Sequence, residues 1–212
     1  MATTLFAGHP HPVVEELIRL VRGAEGSVAI ASSRHGSVHQ PGEGTLHVPW
    51  TPRSSLSAKA ACTHVRNAFG GFTECVFTFA PEACRESLTD MTISRTEQYI
   101  DENLRAPVFF VREVLSLFAD QTDAVVSLVL VEDADTVYAP VEHMVRSGIY
   151  GFAESLAAQY RSGSPAVYAF SGQAATDQAR DFAAFCHTER GDRARGRVQR
   201  FGRKGSLRGL FK

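Results

Sequence analysis

The side chains whose type alone invites metal or nucleophile chemistry are eight histidines and four cysteines. His9 and His11 flank Pro10 in one loop, and His35 and His39 lie in a neighbouring one. Paired imidazoles suit zinc, but no cysteine or carboxylate is spaced with these four in a recognisable metal signature, so no metal is expected. Cys62, Cys75, Cys84 and Cys186 show no CxxC spacing and read as free thiols that pack rather than react. A different chemistry sits at the C-terminal end. From His187 to Lys212 nine Lys or Arg face only Glu189 and Asp192, a net +7, while the whole chain carries -1, so the preceding residues form an acidic body of net -8. With Phe201, Leu207, Leu210 and Phe211 interleaved, this basic segment can engage an acidic protein surface, a nucleic-acid backbone or an anionic membrane. A protein partner is the reading preferred, because the apolar residues would be wasted on phosphate alone.

The elements that must position these groups alternate. Apolar runs at 3–7, 27–32, 45–48, 74–79, 124–131 and 166–170 read as strands. Helical spacing predicts helices over 12–21, 57–69, 95–118, 141–160 and 176–186, the second ended by Gly70 and Gly71. The 95–118 helix carries two apolar stripes, so it is covered on more than one side. Residues 124–131 (AVVSLVLV) are apolar throughout, as a central parallel strand between two helical layers must be. Strands separated by helices imply right-handed crossovers. The expected architecture is an α/β three-layer Rossmann-type sandwich with a parallel sheet of about six strands, spanning 1–186, followed by a basic, flexible tail over 187–212. The 44% hydrophobic and 21% charged composition of 212 residues excludes a disordered or disulfide-stapled chain. No run reaches the roughly 18 apolar residues of a membrane span, and no secretory signal opens the chain, so a cytoplasmic protein is expected.

Three consecutive stretches, EQYIDENLRAPVFFVREVLSLF, DAVVSLVLVED and RSGIYGFAESLAAQY, are similar to the fourth helix, fifth strand and following helix of the short-chain dehydrogenase/reductase family. The resemblance covers roughly residues 3–172 and is one of layout more than of motifs. It implies NAD(P) at the first strand-to-helix turn, a Ser-Tyr-Lys catalytic set, and pairing of subunits through the two long helices.

Residue by residue, the carry-over is partial. Of the glycine-rich turn only Gly8 is kept, and Pro12 and Val14 stand where the other glycines belong. Thr78, Phe79, Ala80 and Pro81 replace the family's Asn-Ala-Gly segment, keeping only the alanine. Ser32, Ser33 and Arg34 resemble the residues that hold the 2'-phosphate of NADP in relatives. Aligned on GFAESLA, the catalytic tyrosine position is Glu142, the lysine position is Arg146, and the serine falls on Val129 or Leu130, which have no hydroxyl. Tyr138 is the one phenol nearby, eight residues before Arg146, and reads as a loop or pocket tyrosine. Glu142 would be a general base if buried, but near a helix start it reads as an exposed side chain favoured by the dipole. Asn103 matches the asparagine whose carbonyl serves the family's proton relay, and Pro107, which cannot donate to that carbonyl, should kink the helix there. His9 and His11 then plug or reshape the vacated cofactor turn.

The candidate catalytic residues are therefore Asn103, Tyr138, Glu142 and Arg146, and the candidate cofactor-binding residues Gly8, Arg34 and Arg146. The reading that follows is a non-catalytic relative of these reductases, a homodimer or homotetramer with no cofactor, acting as a binding or assembly module. The alternative is an NADP-dependent oxidoreductase with rearranged catalytic groups.

Overall fold

Among the described residues seven strands lie in one wholly parallel sheet: β1 (Thr3–Gly8), β2 (Ser27–Ser32), β3 (Thr45–Pro49), β4 (Glu74–Phe79), β5 (Val125–Glu132), β6 (Ala166–Gln173) and β7 (Val198–Arg200). Their order across the sheet is β3-β2-β1-β4-β5-β6-β7, so the direction of winding reverses between β1 and β4. The computed structural model describes residues 2–32, 45–132, 137–173 and 176–202. Among them no helix is long and apolar enough to cross a membrane.

Alternation along the strands feeds two cores. Leu5 and Ala7 of β1, and Val126, Leu128 and Leu130 of β5, join one apolar cluster, while Phe6, Val129 and Val131 join the other. The first cluster is closed by α2 (Ser55–Phe69), α4 (Ala106–Leu117) and α5 (Pro140–Gln159), the second by α1 (Pro12–Gly23) and α6 (Ala179–Thr188). A strand covered on both faces has no polar side to show, which is why β5 reads as one apolar run. Local chemistry sets the helix ends. Ser54 caps α2 by accepting from the Ser57 amide at 3.2 Å, and Gly70 closes it in the left-handed region at φ +72°.

Two expectations change. The single helix expected over 95–118 is α3 (Ile93–Ile100), one π-helical turn (Asp101–Arg105) and then α4. Pro107 has no N–H for the Asn103 carbonyl and its ring would press on it, so the chain widens by one residue and the Ala106 amide donates to the Asp101 carbonyl instead. The kink expected from Pro107 takes this form. The sheet also gains a strand beyond the six expected, and it comes from the segment read as tail. β7 pairs in parallel with β6 from Ala169↔Val198 to Ser171↔Arg200, and the Phe201 amide donates to the Ser171 carbonyl at 2.8 Å. Arg195 Nη2 donates to the Tyr160 carbonyl at 3.0 Å, tying the same segment to the end of α5. Residues 187–202 thus continue the fold, because Val198 and Phe201 find apolar neighbours in the two clusters on opposite faces of the sheet.

Candidate functional site

The carboxyl ends of β1, β4 and β5 meet beside the winding reversal, the place where open α/β sheets hold their ligands. Gly8 ends β1 at φ +102°, and a Cβ on it would stand 2.1 Å from the Thr78 carbonyl oxygen. The glycine is demanded by the close pass of β4, which suffices to explain its presence without a ligand.

The turn that follows spends its own donors. Pro12 opens α1 without an N–H, the Val13 amide donates to His11 Nδ1 at 3.2 Å, and the Val14 amide donates to the His11 carbonyl at 2.8 Å. Glu15 adds a carboxylate to the first turn. A pyrophosphate bound at a helix start needs those amides and the positive end of the dipole. Here both are taken by the chain, so the residues present do not fit a dinucleotide's diphosphate.

His9 turns the other way. Its amide donates to the Thr78 carbonyl at 2.9 Å, and its ring meets Phe79 edge-on with centroids 5.5 Å apart. Asn103 Nδ2 donates to the Tyr99 carbonyl at 2.9 Å, which leaves Asn103 Oδ1 to accept from His9 Nε2 at 2.8 Å. His9 Nδ1 is covered and has no partner among the described residues. Burial holds the imidazole below its usual pKa, outweighing the opposite pull of its hydrogen bond to Asn103, and so favours the neutral ring. Asn103 is therefore brought to the site, its side chain joining the β1 turn to the π-helical turn.

Glu142 and Arg146 are brought together too, but as a structural pair. Glu142 is 1% exposed, which corrects the reading of an exposed glutamate near a helix start. Its Oε1 accepts from Arg146 Nε at 2.8 Å and its Oε2 from the Cys84 amide at 2.8 Å. Arg146 gives Nη1 to the Val131 carbonyl at 3.1 Å and Nη2 to the Pro81 carbonyl at 3.3 Å. Its guanidinium also lies 4.4 Å over the Tyr138 ring. Tyr138 lines the adjoining cleft, and one face of its ring is covered by Arg146. Val129 and Leu130 are buried in the two cores, 1% and 4% exposed. Neither can present a hydrogen-bond donor. Arg34, together with Ser33, His35 and His39, lies outside the described residues.

The thiols behave as packing groups. All four are buried and unpaired, and burial pushes Cys62 up to about 12 and raises Cys75 and Cys186 as well. Among the described residues no group of three or more His, Cys, Asp or Glu could hold a metal ion.

Next to the Arg146 pair opens a cleft of about 670 Å³ between α5 and the ends of β5, β6 and β7. Tyr150, Ser171 and Arg200 line it with Tyr138 and Arg146, and sequence reasoning missed all three. Tyr150 had a detectable signal, since it follows Arg146 by four residues and so stands one turn further along nearly the same side of the helix. Arg200 had none, because only the seventh strand carries it there.

No family model and no curated protein matches the chain. Solved structures do. A Serratia marcescens short-chain dehydrogenase/reductase variant is 12% identical and superposes with TM-score 0.72 over 94% of this chain and 95% of its own. A Leptospira borgpetersenii short-chain dehydrogenase with bound NAD+ is 11% identical, TM-score 0.75, over 94% and 90%. A Brucella melitensis short-chain dehydrogenase/reductase described as a glucose/ribitol dehydrogenase is 11% identical, TM-score 0.71, over 94% of both chains. At these identities the likeness establishes the short-chain dehydrogenase/reductase fold and leaves the chemistry to the residues.

Proposed function

We propose that this chain is a non-catalytic protein of the short-chain dehydrogenase/reductase fold, a binding or assembly module without the hydride chemistry. The buried Glu142–Arg146 pair carries this reading. Carbonyl reduction needs a phenol to pass a proton, a lysine beside it and a hydroxyl on the developing oxyanion. At those positions stand a carboxylate and a guanidinium that neutralise each other, and two buried aliphatic side chains. The engaged amides of α1 support the same reading from the cofactor side.

Assembly runs through α4 and α5. Val108, Phe109, Leu115 and Phe152 are only half-buried by the chain itself, Met144 is 48% exposed, and nothing lies within 4 Å of where a Cβ of Gly151 would point. A second copy laid along these helices gives a homodimer, and a homotetramer needs a second, distinct contact between two such dimers. The basic segment from His187 is a second surface, suited to an acidic protein.

Melting with and without saturating NADH or NADPH tests the first half, since a ligand that binds only the folded state raises Tm. The expected shift is zero, and a reproducible rise with either nucleotide overturns the reading. Sedimentation equilibrium tests the second: a dimer or tetramer is expected, converted to monomer by Gly151→Arg, and a wild-type monomer at all concentrations overturns it. The competing reading, an NADP-dependent oxidoreductase, has in its favour the Tyr138 phenol beside Arg146 and the NAD+ bound by the Leptospira neighbour. It requires the nucleotide shift that the first reading excludes.

A further inference from the structure

The cleft between α5 and the ends of β5, β6 and β7 has two unlike ends. At one, the Arg146 charge is neutralised by Glu142 and its donors are spent on backbone carbonyls. At the other, Arg200 is exposed on β7 and gives Nε and Nη2 to a single acceptor, the Tyr150 phenolic oxygen, at 3.1 and 2.8 Å. A phenol is a neutral acceptor, so it fixes the guanidinium in place without cancelling its charge. No carboxylate lies within ion-pair distance of Arg200 among the described residues. Because the Tyr150 oxygen already receives two hydrogen bonds, its own O–H is left to donate outward. A planar cation and a hydroxyl donor, side by side and preorganised, match one carboxylate group.

The remaining wall limits what can carry that carboxylate. Phe79, Leu130 and Phe201 give the cleft an apolar side. Glu132 lines it as well, and its charge, with that of Glu154, is felt at Arg200; it opposes any anion and opposes a dianion most. A volume of about 670 Å³ falls within the roughly 300 to 1,000 Å³ typical of small-molecule sites. We propose that this cleft binds a small monocarboxylate with an apolar body, its carboxylate on Arg200 and the Tyr150 hydroxyl, its body against Phe79, Leu130 and Phe201. The proposal deepens the reading of a non-catalytic binding module and rests on it, since a dinucleotide's nicotinamide half would compete for the same end of the sheet.

Titration calorimetry on the full chain tests it with 3-phenylpropionate, its neutral isostere 3-phenylpropanamide, phenyl phosphate and NADPH. One 3-phenylpropionate per chain is expected, with the amide weaker by about tenfold or more, the scale of a charge-assisted hydrogen bond. Phenyl phosphate, carrying more negative charge, is expected to bind less well than the monoacid. Arg200→Met should cost about tenfold or more in affinity and Tyr150→Phe about threefold. Arg200 sits on a short edge strand, so circular dichroism and melting accompany both variants, and Tyr150→Phe decides if Arg200→Met does not fold. Equal binding of acid and amide, unchanged affinity in the folded variants, tighter binding of phenyl phosphate, or no binding of 3-phenylpropionate overturns the proposal. The last of these with NADPH also silent leaves the non-catalytic reading standing, whereas binding of NADPH overturns both.

Discussion

Glu142 and Arg146 meet at 2.8 Å one turn apart on α5, and both reach past their own helix to the segment after β4, Arg146 to the end of β5 as well. The carboxylate holds the Cys84 amide beyond β4, while the guanidinium holds the Pro81 and Val131 carbonyls at the ends of β4 and β5. Two charges at 1% and 11% side-chain exposure are costly to desolvate, and what offsets that cost is their mutual attraction together with every remaining hydrogen bond. The pair is therefore a clasp across the mouth of the sheet, and its members depend on each other.

Removing one member alone should show that dependence. Glu142→Gln keeps an acceptor for the Cys84 amide but leaves Arg146 uncompensated, and we expect a loss of about 3 kcal/mol in urea unfolding. The double variant Glu142→Leu with Arg146→Met should lose less than the sum of its single changes. A Glu142→Gln protein as stable as wild type would mean that the pair is not desolvated.

Restoring the family's residues at these two positions should not restore a cofactor site. Glu142→Tyr with Arg146→Lys supplies the phenol and the lysine, yet the Val13 and Val14 amides remain engaged by His11. We expect no Tm shift with NADPH in the double variant. A shift would place the obstacle at the catalytic pair and not at the helix start.

His11 is worth the usual amount of a helix cap. His11→Ala should cost about 1 kcal/mol by loss of the acceptor for the Val13 amide, and His11→Asn should recover most of it. Equal stability of the Ala and Asn variants would remove the capping role.

Much of this was legible in the residues, for reasons that differ by element. The runs at 27–32 and 74–79 coincide with β2 and β4, because short apolar segments bounded by polar or glycine residues leave little choice of ends. Glu142 was misread because burial of a carboxylate depends on partners that local spacing does not reveal: the Cys84 amide is 58 residues away. β7 was missed because Val198, Gln199 and Arg200 have no apolar period, and only pairing with β6 makes them a strand. Asn103 lies in the π-helical turn, and its partner His9 is 94 residues away and linked to it only by the fold.

His9 makes stability depend on pH in a definite direction. Its folded-state pKa is lowered, so on acidification the unfolded chain takes up the proton before the folded one does. The contribution is complete above the ordinary histidine value of about 6.5 and is lost as pH falls from there through the lowered folded-state pKa. The wild type should lose more Tm between pH 7.5 and 5.0 than His9→Gln, which keeps an N–H donor for Asn103 and cannot titrate. Parallel pH curves for the two proteins would sink the assignment.

The edge of the sheet offers the last test, and it bears on the segment once read as tail. Phe201 stacks on Phe182 with centroids 5.1 Å apart and lies 5.6 Å from Phe185, while Arg195 holds the end of α5. Phe182 is fully buried, and taking away its neighbour exposes apolar surface on α6. Phe201→Ala should therefore cost about 2 kcal/mol, below the 3 to 5 of a fully buried phenylalanine because Phe201 is itself only partly covered. Cutting the chain after Arg190 removes this contact, the β6 pairing and the Arg195 hydrogen bond together. The truncated protein should melt well below the Phe201→Ala variant and expose β6 as a new edge prone to association. A truncation that melts with the full chain would show that residues 191–202 are an appendage and not the seventh strand.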